Sequence, residues 1–370
     1  MKVPLVDLKV QYSLLKDEID GAIQRVIDNT EFIKGNDLKE FEEEFAKFCG
    51  KKFAIGCSSG TTALELAFRV SGISPGDEII TVANTFTATA STIVNVGASP
   101  KFIDVDEDTF NMSIGDIEKN ISQKTKAIVP VHLYGQPSDM APIMEIAEKH
   151  NLTVIEDCAQ AHGAEYEGKR IPVSNIGCFS FYPSKNLGAF GDAGCVVTDD
   201  EMKASMASML LDAGRVRGKK YEHDLVGFNY RMDNIQAAIL NVKLKYLQEF
   251  NTKRRKNAKL YNDLLSELKG KINLPFEADY SKHVYYVYTI KANDRDKLAL
   301  FLGQNGITTQ IYYPIPLHLQ KAYRQLGYKE GDFPVTEKLS KEVLSLPMYP
   351  ELTEEQIRFV VEKIKSFFSS

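Results

Sequence analysis

Between residues 51 and 199, short β-rich runs alternate with helical patterns, and few architectures satisfy that alternation. The runs are Phe53-Ala54-Ile55, Glu78-Ile79-Ile80-Thr81-Val82, Lys101-Phe102-Ile103-Asp104-Val105, Ala127-Ile128-Val129-Pro130-Val131 and Leu152-Thr153-Val154-Ile155. Residues 62–70 and 140–150 carry apolar side chains at helical spacing between them. Parallel strands need a crossover, and a helix supplies it, so the pattern predicts a mainly parallel sheet with helices on both faces. Residues 177–181 and 194–198 add two more strands, giving an α/β fold on a seven-stranded-type sheet.

The remainder of the chain follows a different plan. Residues 233–268 hold a long helical pattern without proline, 283–290 read as a strand rich in tyrosine and valine, and 295–304 as a helix. Near the end, Thr353 and Gln356 form a capping box ahead of Ile357, Val360, Val361, Ile364 and Phe368 at helical spacing. At 370 residues the chain exceeds the size at which one core keeps growing. We therefore expect a large α/β domain with an N-terminal helix over 1–240 and a smaller C-terminal α+β domain over 241–370.

Charge and cysteine usage narrow the function classes. The net charge is −5 and no long basic arm occurs, which argues against nucleic acid as a partner. The densest basic runs are Arg215-Val216-Arg217-Gly218-Lys219-Lys220, in a glycine-flanked loop that could meet a diphosphate, and Lys253-Arg254-Arg255-Lys256, on a helical pattern. Five cysteines without a C-x-x-C pair suggest neither a disulfide framework nor a zinc site. Asp7 interrupts the apolar start, and no apolar run reaches spanning length, so the expectation is a cytoplasmic protein without a membrane partner. Neither G-x-G-x-x-G nor G-x-x-x-x-G-K-[ST] is present, which speaks against a nucleotide-dependent dehydrogenase.

An open α/β sheet presents its ligands at the carboxyl ends of its strands. Three features fall at such places. Asp157 closes the apolar run 152–156; Lys185 follows in Phe179-Ser180-Phe181-Tyr182-Pro183-Ser184-Lys185-Asn186-Leu187-Gly188; and Ser58-Ser59-Gly60-Thr61-Thr62 makes a small-residue turn into a helix start. A lysine that can form a Schiff base, an acid that can keep a pyridine nitrogen protonated and a helix start that can cradle a phosphate are the requirements of pyridoxal 5'-phosphate chemistry. Lys185 would both hold the cofactor and move the substrate proton. Gly60, Thr61 and Ser180 can hold the phosphate, Phe86 can stack on the ring, and Gln160 can reach the ring hydroxyl. No metal site is expected.

In these motifs the chain resembles the DegT/DnrJ/EryC1/StrS sugar aminotransferases, which are fold type I pyridoxal phosphate enzymes. The resemblance runs from Pro4-Leu5-Val6-Asp7-Leu8 through Ser58-Ser59-Gly60-Thr61, Glu156-Asp157-Cys158-Ala159-Gln160-Ala161-His162-Gly163-Ala164, the Lys185 segment and Gly227-Phe228-Asn229-Tyr230-Arg231-Met232 to Leu346-Pro347-Met348-Tyr349-Pro350. It implies a homodimer with shared active sites, Asn229 reaching the cofactor phosphate of the other subunit. It also implies transfer of the amino group of L-glutamate to a keto group of a nucleotide-linked sugar. Val131-His132-Leu133-Tyr134-Gly135-Gln136 looks like the branch that acts at C3 of dTDP-3-keto-6-deoxyhexoses; UDP-linked keto sugars, or a C4 keto group, are the rivals. Ser184 and Tyr312 depart from the glycine and histidine that many relatives carry there, and both bear on the sugar. Tyr182, Tyr312, Tyr313 and His318 are candidate sugar contacts, Arg215 and Lys219 candidate diphosphate contacts. A related dehydratase would carry histidine in place of Lys185, and a non-enzymatic regulator would not need the full cofactor set.

Overall fold

In the computed structural model, which describes residues 1–216 and 218–369, the alternation becomes one seven-stranded sheet. Arg217 of the basic run lies outside the described residues. The strands are β1 (Phe53–Cys57), β2 (Glu78–Val82), β3 (Ser99–Ile103), β4 (Thr125–Ile128), β5 (Thr153–Asp157), and, after two short strands β6 (Glu165–Tyr166) and β7 (Lys169–Arg170), β8 (Ile176–Ser180) and β9 (Gly194–Thr198). Their order is β1-β9-β8-β5-β4-β2-β3, with β9 antiparallel to both neighbours and the other pairs parallel. Successive side chains feed opposite cores: Ile80, Val154, Phe179 and Val197 join one cluster, Ile79, Ile155, Cys178 and Val196 the other. Burial on both faces explains why these strands read as continuous apolar runs.

The expected single helix over 233–268 is two helices, Asn234–Leu244 and Leu247–Leu265, separated at Lys245 and Tyr246. The break serves two different cores. Ala238, Ile239 and Val242 pack on Leu15, Ile19 and Val26 of the N-terminal helix Leu8–Asn29, whereas Ala258, Tyr261 and Leu265 pack with Ile357, Val360 and Val361 of the last helix, Glu354–Ser369. Thr353 and Gln356 make the reciprocal cap expected of them, at 3.2 and 3.0 Å.

The expected strand over 283–290 is also shorter. After β10 (Ile272–Asn273) and β11 (Ser281–Lys282), only β12 (Tyr288–Ala292) pairs, with β10 and with β13 (Val343–Leu346). Residues 283–287 leave the ladder because Tyr285 takes φ 43° and the N–H groups of Val284 and Tyr286 donate to Gly135 and Tyr134 at 3.0 and 2.9 Å. That detour carries Tyr286 to the end of the large sheet. The two halves are stitched twice more. β11 pairs with β6, and Val3 pairs with Ile307, donating to Gly306 at 2.9 Å and accepting from Thr308 at 2.9 Å, while Met348 donates to Leu5 at 3.1 Å. Among the described residues no helix is long and apolar enough to cross a membrane.

Candidate active site

A cavity of about 530 Å³ opens at the carboxyl ends of β2, β5 and β8, beside the point where the strand order reverses. Asp157, Lys185, Gly60, Thr61, Phe86, Gln160, Ser180, Tyr182, Tyr312 and Tyr313 all line it. The sequence had separated these residues by up to 253 positions (from Gly60 to Tyr313); the sheet brings them to one wall.

Asp157 ends β5, buried. Its Oδ2 accepts from the Thr89 hydroxyl at 2.8 Å and its Oδ1 from the Ala159 N–H at 3.1 Å. Burial pushes the carboxyl above its ordinary range, and the Thr89 hydroxyl, the Ala159 N–H and the charge of Lys185 oppose the shift without cancelling it. A cationic partner in the cavity is what this acid lacks. The neighbouring Glu156 points to the opposite face, where its carboxylate accepts from His132 Nε2 at 2.8 Å and from the Val173 N–H at 3.1 Å, and also from the Ser174 N–H. His132 Nδ1 accepts from the Ser138 N–H at 3.0 Å, so Nε2 carries the ring proton and the imidazole is neutral. Cys158 lies with this pair, within 4.8 Å ligand atom to ligand atom, yet the imidazole and the carboxylate are already engaged by protein donors and acceptors.

The phosphate end is built by close approach. The helix Gly60–Val70 starts with a capping box in which the Ser59 hydroxyl accepts from the Thr62 N–H at 3.1 Å and Thr62 Oγ1 accepts from the Ser59 N–H at 3.0 Å. The N–H groups of Gly60 and Thr61, in the first turn, point out of the helix beside Ser180. A Cβ at Gly60 would lie 2.6 Å from Ser180 Cβ, so glycine is what lets helix and strand end meet. This cradle, a buried acid at the other end, an amine and an aromatic wall fit pyridoxal phosphate in size and charge.

Lys185 sits in a loop braced from behind. The Lys185 N–H donates to Tyr182 at 2.9 Å, the Asn186 amide donates to Asn251 at 2.8 Å and to Val284 at 3.0 Å, and the buried Lys243 ammonium donates to the Gly188 carbonyl at 2.6 Å. The Lys185 Nζ lies 4.4 Å from the Tyr286 ring centroid. Phe86 is half exposed, its ring 6.2 Å from that of Tyr313. Gln160 is engaged by protein groups, accepting from the Tyr134 N–H at 2.8 Å and donating to the Tyr313 hydroxyl at 3.1 Å.

Four expected residues lie elsewhere in this chain. His318, expected at the sugar, is buried, paired with Glu337 at 3.0 Å and packed edge-on to Phe333; it does not line the cavity, because the 317–319 turn directs it into a small core with Leu317 and Tyr323. Arg215 and Lys219 line a separate concavity with Lys34, Glu42 and Asp212. Asn229 is exposed and pairs with Asp212 on the segment that carries them. Sequence reasoning missed Thr89 and Tyr286. Thr89, three residues past Phe86 on the helix Thr87–Asn95, gave no signal, and Tyr286 was hidden among the tyrosines of an expected strand.

Comparison with known proteins completes the description. A model of the DegT/DnrJ/EryC1/StrS aminotransferase family matches residues 13–365. The chain is 47% identical to a pleiotropic regulatory protein of Geobacillus stearothermophilus, over 100% of this chain and 99% of that protein. It is 44% identical to a UDP-N-acetyl-3-dehydro-alpha-D-glucosamine 3-aminotransferase of Acidithiobacillus ferrooxidans, over 98% and 97%. Transaminases named for dTDP-3-amino sugars are 38% to 41% identical to it. Among solved structures, S. venezuelae DesV in complex with a ketimine intermediate superposes with a TM-score of 0.96 at 40% identity, covering 99% of this chain and 98% of that one.

Proposed function

This chain belongs to the DegT/DnrJ/EryC1/StrS aminotransferase family, and from that premise we propose a specific reaction for its cavity. It is a pyridoxal phosphate-dependent aminotransferase of the fold type I class. The reaction moves the amino group of L-glutamate to a keto group of a nucleotide-linked sugar, at C3 of a dTDP-3-keto-6-deoxyhexose, leaving 2-oxoglutarate. The observation that carries this reading is the meeting of Lys185, Asp157 and the Gly60–Thr61 helix start around one cavity. The same set of cofactor groups favours catalysis over the purely regulatory role named for one relative.

When bound, the cofactor supplies an electron sink that stabilises negative charge on the carbon losing its proton. Around it, Lys185 would attach the cofactor and carry protons at Nζ, Asp157 would present its carboxylate to the ring nitrogen, and Phe86 would cover one ring face. Gly60, Thr61 and Ser180 would donate to the phosphate. Tyr182, Tyr312 and Tyr313 would meet the sugar.

The reading extends to a cytoplasmic homodimer. Arg215, Lys219 and Asn229 sit together on the 212–229 segment, away from their own cavity, which suits service to the cavity of a second copy. Asn229 would then complete the phosphate site and the two cations would meet the diphosphate. The five cysteines are buried free thiols, in keeping with a reducing compartment.

The deciding experiment incubates the purified enzyme with glutamate and a panel of dTDP- and UDP-linked 3-keto and 4-keto sugars. Amination of a dTDP-linked 3-keto sugar, with equal release of 2-oxoglutarate, is the expected result. Amination of UDP-linked or 4-keto sugars alone would refute the substrate and leave the reaction class standing.

A further inference from the structure

Tyr286 lies closer to the reacting amine than any feature of the sequence foretold. Its ring faces Lys185 Nζ at 4.4 Å, and its hydroxyl is 3.5 Å from Ser184 Oγ. The residue is only 8% exposed, and that exposed edge looks into both the cavity and an adjoining compartment of about 430 Å³ lined by Pro4, Thr308 and Tyr312. The ring has no freedom to leave: the Tyr286 N–H donates to Tyr134 at 2.9 Å, and its carbonyl accepts from the buried Arg254 guanidinium at 3.1 Å.

We propose that Tyr286 is a catalytic residue of the amino transfer, exchanging a proton with Lys185 so that the lysine becomes a neutral base without an outside acceptor. The step rests on the reading of Lys185 as the catalytic amine. An N–H bond of the Lys185 ammonium breaks, the Tyr286 phenolate oxygen forms an O–H bond with that proton, and the products are a neutral amine and a neutral phenol. Total charge and protonation of the pair do not change. The reverse step restores the ammonium after the lysine has given its nitrogen back to bulk exchange.

The surroundings support such a pair. Burial by itself raises the phenol, but the Lys185 charge, the Ser184 hydroxyl and the Arg254 guanidinium outweigh it and leave Tyr286 below the ordinary tyrosine range. The other titratable groups facing it are the phenols of Tyr312 and Tyr313, both raised chiefly by burial and therefore neutral. Tyr286 is the one phenol of this group prepared to ionise.

The test follows phenolate absorbance against pH in the full chain freed of cofactor. Wild type should ionise one tyrosine below the usual range near pH 10, and both Tyr286→Phe and Lys185→Ala should lose that early step. In the loaded enzyme, Tyr286→Phe should move the acid limb of kcat for the glutamate half-reaction up by about one pH unit or more, with KM for glutamate changed by less than about threefold. An early step that persists in Lys185→Ala, or an acid limb unmoved in Tyr286→Phe, overturns the proposal. Lys185→Ala carries the titration arm even if Tyr286→Phe does not fold. Borohydride reduction and peptide mapping separate the two readings: an adduct on another lysine removes Lys185 itself, whereas an adduct on Lys185 with an unchanged titration removes only Tyr286.

Discussion

Thr89 donates its hydroxyl to Asp157 Oδ2 at 2.8 Å, joining the first turn of one helix to the end of the central strand. The bond favours the charged carboxylate in a place where burial disfavours it. Hydrogen bonds to a charged group contribute about 1.5–3 kcal/mol. Thr89→Val should therefore weaken cofactor binding and slow turnover by roughly ten- to a hundredfold, while Asp157→Asn slows the proton-transfer steps by several orders of magnitude with little loss of thermal stability. Cofactor titration and single-turnover kinetics measure both. Equal kinetics for Thr89→Val and wild type would mean that the Ala159 N–H alone suffices.

Gly60→Ala places a Cβ 2.6 Å from Ser180 Cβ and 3.2 Å from its Cα, so the helix start must retreat from the strand. Overpacking of this kind costs about 1–3 kcal/mol, and phosphate affinity should fall with it. Combining Gly60→Ala with Ser180→Gly should restore the melting temperature but not the affinity, because the serine donor is gone. Recovery of both would deny Ser180 a part in holding the phosphate.

Glu42 offers a pH test remote from the cavity. Burial raises its carboxyl to about 7, against an ordinary 4.5, and the Gly56 N–H donating at 2.8 Å opposes the shift. Because the folded chain keeps this proton where the unfolded chain has lost it, stability falls as pH rises from 4.5 to 7 and is level beyond. Glu42→Gln should remove that fall, gaining on the order of 1–3 kcal/mol at pH 8 and nothing at pH 4. Denaturant midpoints across this range decide it.

If Asn229 serves the second copy, Lys185→Ala and Asn229→Ala chains are each inactive alone yet complement when mixed. A mixed dimer then holds one site with both residues intact and should show up to about a quarter of wild-type activity after random exchange. Verified exchange without recovery would place Asn229 outside the site.

The large sheet was legible because burial on both faces writes it as unbroken apolar runs, and Asp157, Lys185 and Gly60 stood out by falling at strand ends. What escaped depended on contacts distant in sequence. The break at Lys245 and Tyr246 follows from two cores that pull the same apolar pattern in different directions. The strand over 283–287 was lost to hydrogen bonds with Tyr134 and Gly135, and no local pattern announces a partner that far away. His318 looked functional because histidine in a tyrosine- and proline-rich loop reads alike whether it faces a ligand or Glu337.

The pairing of Val3 with the 306–308 segment, and of Leu5 with Met348, also bears on the order in which the chain can mature. On the ribosome the first residues emerge long before their partners exist. The seven-stranded sheet can close while this segment waits unpaired, and only the arrival of the C-terminal residues lets it dock. Since Pro4 also lines the compartment beside Tyr286, the active-site wall is finished last, by the part of the chain that was made first.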